Sequence, residues 1–219
     1  MSARSNRIPI ALKLAYSAFM AVLIPVYAGT YGPANFLYFC DIALIITLIG
    51  IWTESRLLIS MCAVGILAPQ ALWLLDFAAH FAGTKISGVT DYMFDSARSP
   101  FLRGLSLFHG WLPLLLVYLL TRIGYDGRAL KAWTILAWIV LPVCYFLMPG
   151  PSPDAGIAAV NINYVYGFGD TAPQAWMHPL LWLAALMLAL PILLYAPTHL
   201  ALKRWERSSR PASSKQFVV

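Results

Sequence analysis

Long apolar runs separated by polar segments dominate this chain of 219 residues. A helix that crosses the hydrocarbon core of a bilayer needs about 20 predominantly apolar residues, and the runs approach or reach this length. The pattern therefore predicts an all-α polytopic membrane bundle of about six transmembrane helices, at residues 11–27, 35–53, 57–78, 104–122, 130–148 and 178–197. We expect these helices to form one transmembrane helical domain over residues 1–200.

Two connections between the predicted helices are long, and both fall on the same side of the bundle, at residues 80–104 and 149–177. Loops of this length are usually functional or disordered, and their content of aromatic residues and asparagine argues against disorder. Irregular backbone near lipid must be buried in protein or line a wet cavity. We therefore expect both loops to fold back over the outer ends of the helices.

The composition supports a membrane protein. The chain is 60% hydrophobic, its mean hydropathy is +0.72, and only 11% of its residues are charged. A soluble domain carries about 25% charged residues, so this chain cannot cover itself with a charged surface and lipid must be its solvent.

The distribution of lysine and arginine predicts the orientation, because cytoplasmic loops are enriched in these residues. With the N-terminus in the cytoplasm, 12 of the 15 basic residues fall on the inner side, and only Lys85, Arg98 and Arg103 fall on the outer side. Both termini are therefore predicted to be cytoplasmic, with residues 201–219 as a basic, disordered tail. The net charge of +6 then reflects topology and contact with anionic lipid headgroups, and it gives no indication of nucleic-acid binding.

The first apolar run has two interpretations. The segment MSARSNR before it resembles the start of a signal peptide, but the run is long and YAGTYGPAN is a weak cleavage site. We favour a retained helix. The chain contains no Asn-x-Ser/Thr site, and we expect a multi-pass protein of a bacterial inner membrane.

Polar side chains collect near the predicted outer ends of the helices. At 1.5 Å per residue, Cys40 and Asp41 lie about 8 Å below the outer surface in the second span, and His109 lies at a similar depth in the fourth. Asp76 lies near the outer end of the third span, with Gln70 about a turn and a half deeper. The outer loops add Asp91, Tyr92, Asn161, Asn163, Tyr164 and Asp170.

A thiol and an imidazole at matched depth are suited to acyl transfer. A thiol attacks as the thiolate, and a neighbouring histidine can take its proton. A third group usually orients that histidine. We assign this role to Asp41 or Asp76. Adjacent helix residues point about 100° apart, so Cys40 and Asp41 need not face the same cavity, and Asp76 is at least as good a candidate.

The expected substrate is an acyl ester that arrives laterally from the bilayer, since the predicted depth is near the ester level of a phospholipid. Asn163 or nearby backbone amides would stabilise the oxyanion. We expect the remaining polar residues to bind the substrate, and these are Tyr164, Gln70, Asn161 and Asp91.

Four segments carry a family resemblance, in order across residues 36–165: FLYFCDIAL, AVGILAPQALW, LSLFHGWLPLLLVYL and NINYVYG. With these segments the chain resembles the YwaF-like integral membrane proteins, whose animal relatives include a cysteine-dependent phospholipid acyltransferase. It is more distantly similar to the androgen-induced membrane hydrolases of lipid esters.

The resemblance implies specific roles. Cys40 matches the acyl-accepting nucleophile and His109 the catalytic histidine, while Asn163 and Tyr164 match an Asn-Tyr step that is structural or binds the oxyanion. The chain departs from the pattern where Tyr38-Phe39 replaces a histidine before the cysteine, and where Ala68-Pro69 replaces Thr-Pro. The loop at residues 80–104 is not part of the pattern.

A second hypothesis is a non-enzymatic membrane protein, such as a small transporter or an accessory or assembly subunit. A cysteine in a membrane helix is often only a packing residue. A transporter, however, needs polar groups through the whole span, and we expect no ionisable side chain in the inner half of any span.

Two further possibilities concern metals and disulfides. A metal site built from Asp41, Asp76, His109 and His80 lacks a recognised ligand spacing such as HExxH, so we expect no metal or other cofactor. A disulfide between Cys40 and Cys144 stays open as an alternative.

Overall fold

The computed structural model describes residues 7–209, and all regular secondary structure within them is helical. The α-helices are α1 (Ile10–Tyr31), α2 (Phe39–Thr53), α3 (Arg56–Phe81), α4 (Pro100–Ser106), α5 (Phe108–Ile123), α6 (Ala129–Leu147), α7 (Pro179–Ala189) and α8 (Ala196–Ser209). Three short 3₁₀ turns lie at Pro33–Leu37, Asp91–Met93 and Ile162–Tyr164. The prediction of an all-α bundle is confirmed.

Five helices among the described residues are long and apolar enough to cross a membrane: α1, α3, α6, the combined α4–α5 segment Pro100–Ile123, and the segment Pro179–Ser208 that joins α7 to α8. This arrangement is that of a multi-pass membrane protein. The second predicted span is wrong at its start, because residues 33–37 form a 3₁₀ turn and α2 has only 15 residues.

Helix α3 is the centre of the bundle and packs against α2, α5 and α6. Five successive residues of α3, from Cys62 to Ile66, are buried, as expected for a helix surrounded by other helices. Gly65 contributes by its lack of a side chain, since a Cβ at this position would overlap the indole of Trp133 on α6. Trp133 is fully buried.

The segment between α7 and α8, Leu190–Tyr195, is a π-helical turn that begins beside Pro191. Proline has no amide hydrogen, so the carbonyl four residues earlier, that of Met187, loses its helical donor. The indole Nε1 of Trp138 donates to this carbonyl at 2.8 Å. A side chain of α6 thus satisfies the carbonyl that Pro191 leaves free.

Four of the basic residues predicted on the inner side, Arg7, Lys13, Arg56 and Arg122, lie at one end of the bundle. Lys13 pairs with Glu54 at 2.9 Å, and this hydrogen bond lowers the pKa of the Glu54 carboxyl. Arg122 Nε donates to the carbonyl of Arg7 at 3.0 Å. Lys13 corrects one expectation, because it is buried within α1 and is an ionisable side chain in the half of a span that is predicted to be the inner one.

The C-terminal region also differs from expectation. Helix α8 continues to Ser209, so residues 201–209 are helical rather than disordered. Residues 210–219 of the predicted tail lie outside the described residues. The side of the membrane that each end faces stays a prediction.

We predict that Gly65→Ala lowers the free energy of unfolding by about 1–3 kcal/mol, because the added methyl group overpacks the contact with Trp133. Thermal unfolding of the purified protein in detergent measures this change. The matched control is Gly29→Ala in α1, where a Cβ meets no atom within 4 Å, and which should be neutral or slightly stabilising. Equal stability of the two variants would contradict the packing argument.

Candidate functional site

Asp76, near the end of α3, holds the first outer loop in place. Its Oδ1 accepts hydrogen bonds from the amides of Ser87 and Gly88, at 2.6 and 3.2 Å, and from the Ser87 hydroxyl at 2.9 Å. Its Oδ2 accepts from the amide and hydroxyl of Thr90, at 3.0 and 2.6 Å. Both carboxylate oxygens are thus committed to the loop, and the predicted role of Asp76 in orienting His109 is wrong.

His109 is oriented by Gln70 instead. Its Nδ1 lies 2.9 Å from Gln70 Oε1, across the interface between α5 and α3. With that oxygen as acceptor, Nδ1 carries the proton and Nε2 keeps the lone pair. The imidazole stacks on Trp73, with ring centroids 4.9 Å apart. Gln70, predicted to bind substrate, therefore positions the histidine.

Cys40 and Asp41 form a close pair at the start of α2. The thiol Sγ lies 3.6 Å from Asp41 Oδ2, which also accepts a hydrogen bond from Asn35 Nδ2 at 3.3 Å. The other carboxylate oxygen, Oδ1, is buried without a hydrogen-bond partner within residues 7–209. A buried oxygen left unpaired is costly, and its presence marks this carboxylate as a candidate for chemistry.

The three cysteines differ in accessibility. All three are free, so the disulfide between Cys40 and Cys144 is not formed. Cys40 is partly exposed, whereas Cys62 and Cys144 are buried. Of the three thiols, Cys40 alone combines access with a neighbouring carboxylate.

Cys40 and His109 are not in direct contact. Within the described part of the chain, no hydrogen bond or ring contact joins them, so the predicted nucleophile–base pair is not assembled. Tyr92 of the first loop contacts the His109 ring and interacts electrostatically with Cys40. Its ring meets the His109 ring edge-on, with centroids 6.5 Å apart, while burial raises the pKa of Tyr92 and the nearby Tyr27 and Cys40 add to this shift.

Arg98 of the first outer loop is held between two tyrosine rings. Its guanidinium carbon lies 5.2 Å from the ring centroid of Tyr31 and 5.3 Å from that of Tyr92, distances at which a cation is attracted to an aromatic face. Its Nε is buried without a hydrogen-bond partner in residues 7–209. The carbonyl of Tyr31 accepts from the amide of Ala159, so both outer loops meet at Tyr31.

Asn163 fixes the start of α2. Its Oδ1 accepts from the amide of Phe39 at 3.0 Å, and its Nδ2 donates to the carbonyl of Leu37 at 2.8 Å. Its backbone is left-handed, with φ 57°, a conformation that asparagine tolerates better than most residues. Because both ends of the amide bind backbone, the predicted oxyanion role of Asn163 is wrong, and its effect on Cys40 is positional.

The other predicted substrate-binding residues also have structural partners. Asn161 Nδ2 donates to the carbonyls of Gly167 and Gly169, at 2.8 and 2.9 Å. The carbonyl of Tyr164 accepts from the Trp182 indole at 2.9 Å, and burial raises the pKa of the Tyr164 hydroxyl to about 12. Asp91 is half exposed and pairs with His80 and Lys85 at 3.3 and 2.9 Å.

Sequence reasoning missed Asn35, Trp73 and Arg98 as parts of this region. The sequence does single out Arg98, because it is one of only three basic residues predicted on the outer side of the membrane. Nothing in the sequence marked Asn35 or Trp73, whose importance comes from residues on other elements.

An apolar cleft of 330 Å³ opens beside the histidine's aromatic stack. It lies between α3, the first loop and α4, and its walls include Phe77, Phe94 and Leu107, with Arg103 at the polar end. Trp73 stacks on both His109 and Phe77, so one aromatic ring separates the imidazole from the cleft. The cleft has the apolar character that an acyl chain requires.

The residues considered for a metal site are not grouped. Asp76 is committed to the loop, His80 pairs with Asp91, and no group of three or more potential ligands occurs among the residues that the structure describes. Comparison with known proteins adds no relative, because no protein-family model, curated protein or solved structure matches the chain. The resemblance to the YwaF-like family stays a prediction.

We predict that Asp76→Asn loosens the first outer loop. The substitution puts an amide donor opposite donors and removes charge-assisted hydrogen bonds that contribute about 1.5–3 kcal/mol each. Cleavage by trypsin at Lys85 and Arg98 should be at least about tenfold faster, measured by mass spectrometry of the fragments. Asp91→Asn is the control, since exposed ion pairs contribute little. Unchanged cleavage of Asp76→Asn would show that the carboxylate does not hold the loop.

Proposed function

We propose that this protein is an integral membrane enzyme of lipid metabolism that takes an acyl group onto Cys40 and passes it to a lipid acceptor or to water. The observation that carries the proposal is the partly exposed Cys40, whose thiol lies 3.6 Å from a carboxylate with a second oxygen that is buried and has no hydrogen-bond partner within residues 7–209. A thiol needs such an acceptor for its proton before it can attack. The apolar cleft of 330 Å³ beside the aromatic stack of His109 supports a substrate with an acyl chain.

The first step forms a thioester. Asp41 takes the proton of the Cys40 thiol, and Sγ attacks the carbonyl carbon of a phospholipid ester. We assign Arg98 to stabilise the oxyanion, because its Nε makes no hydrogen bond within residues 7–209 and has only a long ion pair with Asp95, at 4.0 Å, and oxyanions require preorganised donors. The ester C–O bond then breaks, and the leaving alkoxide takes the proton from Asp41, which releases a lysolipid.

The second step transfers the acyl group. We assign His109 as the base for the acceptor, since its Nε2 keeps a lone pair when Nδ1 is bound to Gln70 and it does not contact Cys40. The acceptor hydroxyl, of a lysolipid or of water, loses its proton to His109 and attacks the thioester carbonyl. The Cys40 thiolate leaves and takes up one proton while His109 releases the one that it accepted, which restores both residues. An acyltransferase and a hydrolase differ only in this acceptor.

The proposal includes a location and an orientation. We place the protein in a bacterial inner membrane with both termini and the basic end of the bundle in the cytoplasm, as the positive-inside rule favours. Cys40 then opens to the outer leaflet, and anionic headgroups of the inner leaflet contact the basic end.

We predict that the purified protein forms a hydroxylamine-labile acyl adduct when it is incubated with a phospholipid that carries a labelled acyl chain. Cys40→Ala should abolish the adduct, because it removes the only sulfur that accepts the acyl group. Cys62→Ala and Cys144→Ala are matched controls that should keep it. Absence of an adduct in folded protein with several lipid classes would refute the enzyme and favour the accessory or transporter hypothesis.

We predict that substitutions of Asp41 and His109 separate the two steps. Asp41→Asn removes the proton acceptor of the first step, so the adduct should form at least about a hundredfold more slowly. His109→Gln affects the second step, so the adduct should accumulate while release of the acyl group slows. A time course of labelled adduct and labelled product measures both. Loss of the adduct in His109→Gln would instead return the histidine to the first step.

A further inference from the structure

A second cavity, of 370 Å³, lies at the basic end of the bundle. It is enclosed by the chain before α1, the start of α3, the connection between α5 and α6, and α8. Cys40 lies 13 residues along α2 from its last residue, Thr53, which corresponds to about 20 Å of helix. This cavity is therefore separate from the candidate acyl site.

Three arginines line this cavity, and two of them are anchored by a single nitrogen. Arg56 Nε donates to the carbonyl of Ile123 at 2.9 Å, and Arg122 Nε donates to the carbonyl of Arg7 at 3.0 Å. Within residues 7–209, the terminal nitrogens of Arg56 and Arg122 make no hydrogen bond or ion pair. Each guanidinium is thus oriented by the protein while its outer donors stay available, the arrangement that suits bidentate binding of phosphate.

Gly124 holds the guanidinium of Arg56 close to the backbone. Its φ is +85°, and a Cβ on it would lie 3.3 Å from Arg56 Cζ and Nε. Glycine provides both the left-handed conformation and the space. Capping of α5 explains the Arg56 bond to Ile123, but it does not explain why three guanidinium groups share one cavity.

The nearby carboxylates do not balance these cations. Glu54 is bound to Lys13 and to the amides of Arg7 and Ile8. Asp126 is bound by Arg128, and this hydrogen bond lowers the pKa of the Asp126 carboxyl, to which the nearby Arg56 also contributes. Asp126 thus offsets part of the Arg56 charge from outside the cavity lining. Among the residues that line the cavity, Glu206 is the acidic one against three arginines, which leaves an excess of two positive charges.

We infer that this cavity binds a phosphoryl group, carried by an anionic lipid headgroup or by a soluble phosphate. The excess charge requires an anion, and the available guanidinium donors match phosphate oxygens. A volume of 370 Å³ is in the range of small-ligand sites, about 300–1,000 Å³, and accommodates a phosphate ester. The indole of Trp205 also lines the cavity, and indoles favour the membrane–water interface.

The test uses the full chain in nanodiscs of phosphatidylcholine. One arm titrates inorganic phosphate against chloride at constant ionic strength and follows thermal unfolding. The other arm adds phosphatidic acid to the nanodiscs and measures retained lipid by native mass spectrometry. Arg56→Gln and Arg122→Gln should each weaken binding by about tenfold or more, as expected for loss of a charged hydrogen-bond donor.

The control is Arg207→Gln, which removes the same charge from an exposed position on α8 outside the cavity lining and should bind normally. Arg56→Lys guards against misfolding, because it keeps a donor for the Ile123 carbonyl but loses the planar fork; it should fold and bind more weakly. If Arg56→Gln and Arg122→Gln weaken only the binding of inorganic phosphate, the ligand is a soluble phosphate. If they weaken only the retention of phosphatidic acid, the ligand is a lipid headgroup. Failure of both ligands to bind, or an equal loss in Arg207→Gln, overturns the inference.

Discussion

Backbone near lipid must find its own hydrogen-bond partners, because the hydrocarbon core offers none, and this constraint determines much of the structure. At three places where the chain leaves helical geometry, a side chain from another segment satisfies free backbone groups. Asp76 accepts from three amides of the first outer loop, Asn163 binds Leu37 and Phe39, and Trp138 binds the carbonyl that Pro191 leaves free. The polar residues that look most catalytic in the sequence are largely used in this way.

The same constraint gives weight to the polar atoms that stay unpaired. Asp41 Oδ1 and Arg98 Nε are both buried without a hydrogen bond within residues 7–209, and both belong to the region around Cys40 and Tyr92. They are two of the eight buried side-chain atoms among the described residues that have no hydrogen bond, and such exceptions need an explanation. A substrate that brings a carbonyl and an alkoxide to this region supplies one.

The sequence predicts the fold well and the roles of individual residues poorly, for a physical reason. Apolar runs of sufficient length define membrane helices by themselves, and the five long helices follow them. The start of α2 depends on Asn163, 124 residues away from Phe39, and the orientation of His109 depends on Gln70, 39 residues away. Such pairings come from tertiary packing, which periodicity and composition do not record, so the sequence does not reveal that Asp76, Asn161 and Asn163 bind backbone groups.

The shortness of α2 links this packing to the proposed chemistry. Glu54 follows the last residue of α2 and is held at the basic end of the bundle by Lys13. The 13 residues from Thr53 to Cys40 cover about 20 Å, whereas the hydrocarbon core is about 30 Å thick. With Glu54 at one boundary of the core, this length puts Cys40 about 10 Å inside the opposite boundary, where irregular backbone is tolerated only when protein buries it. The second outer loop descends to this level through Asn163, and it thereby brings polar groups to a depth that an acyl ester can reach from the bilayer.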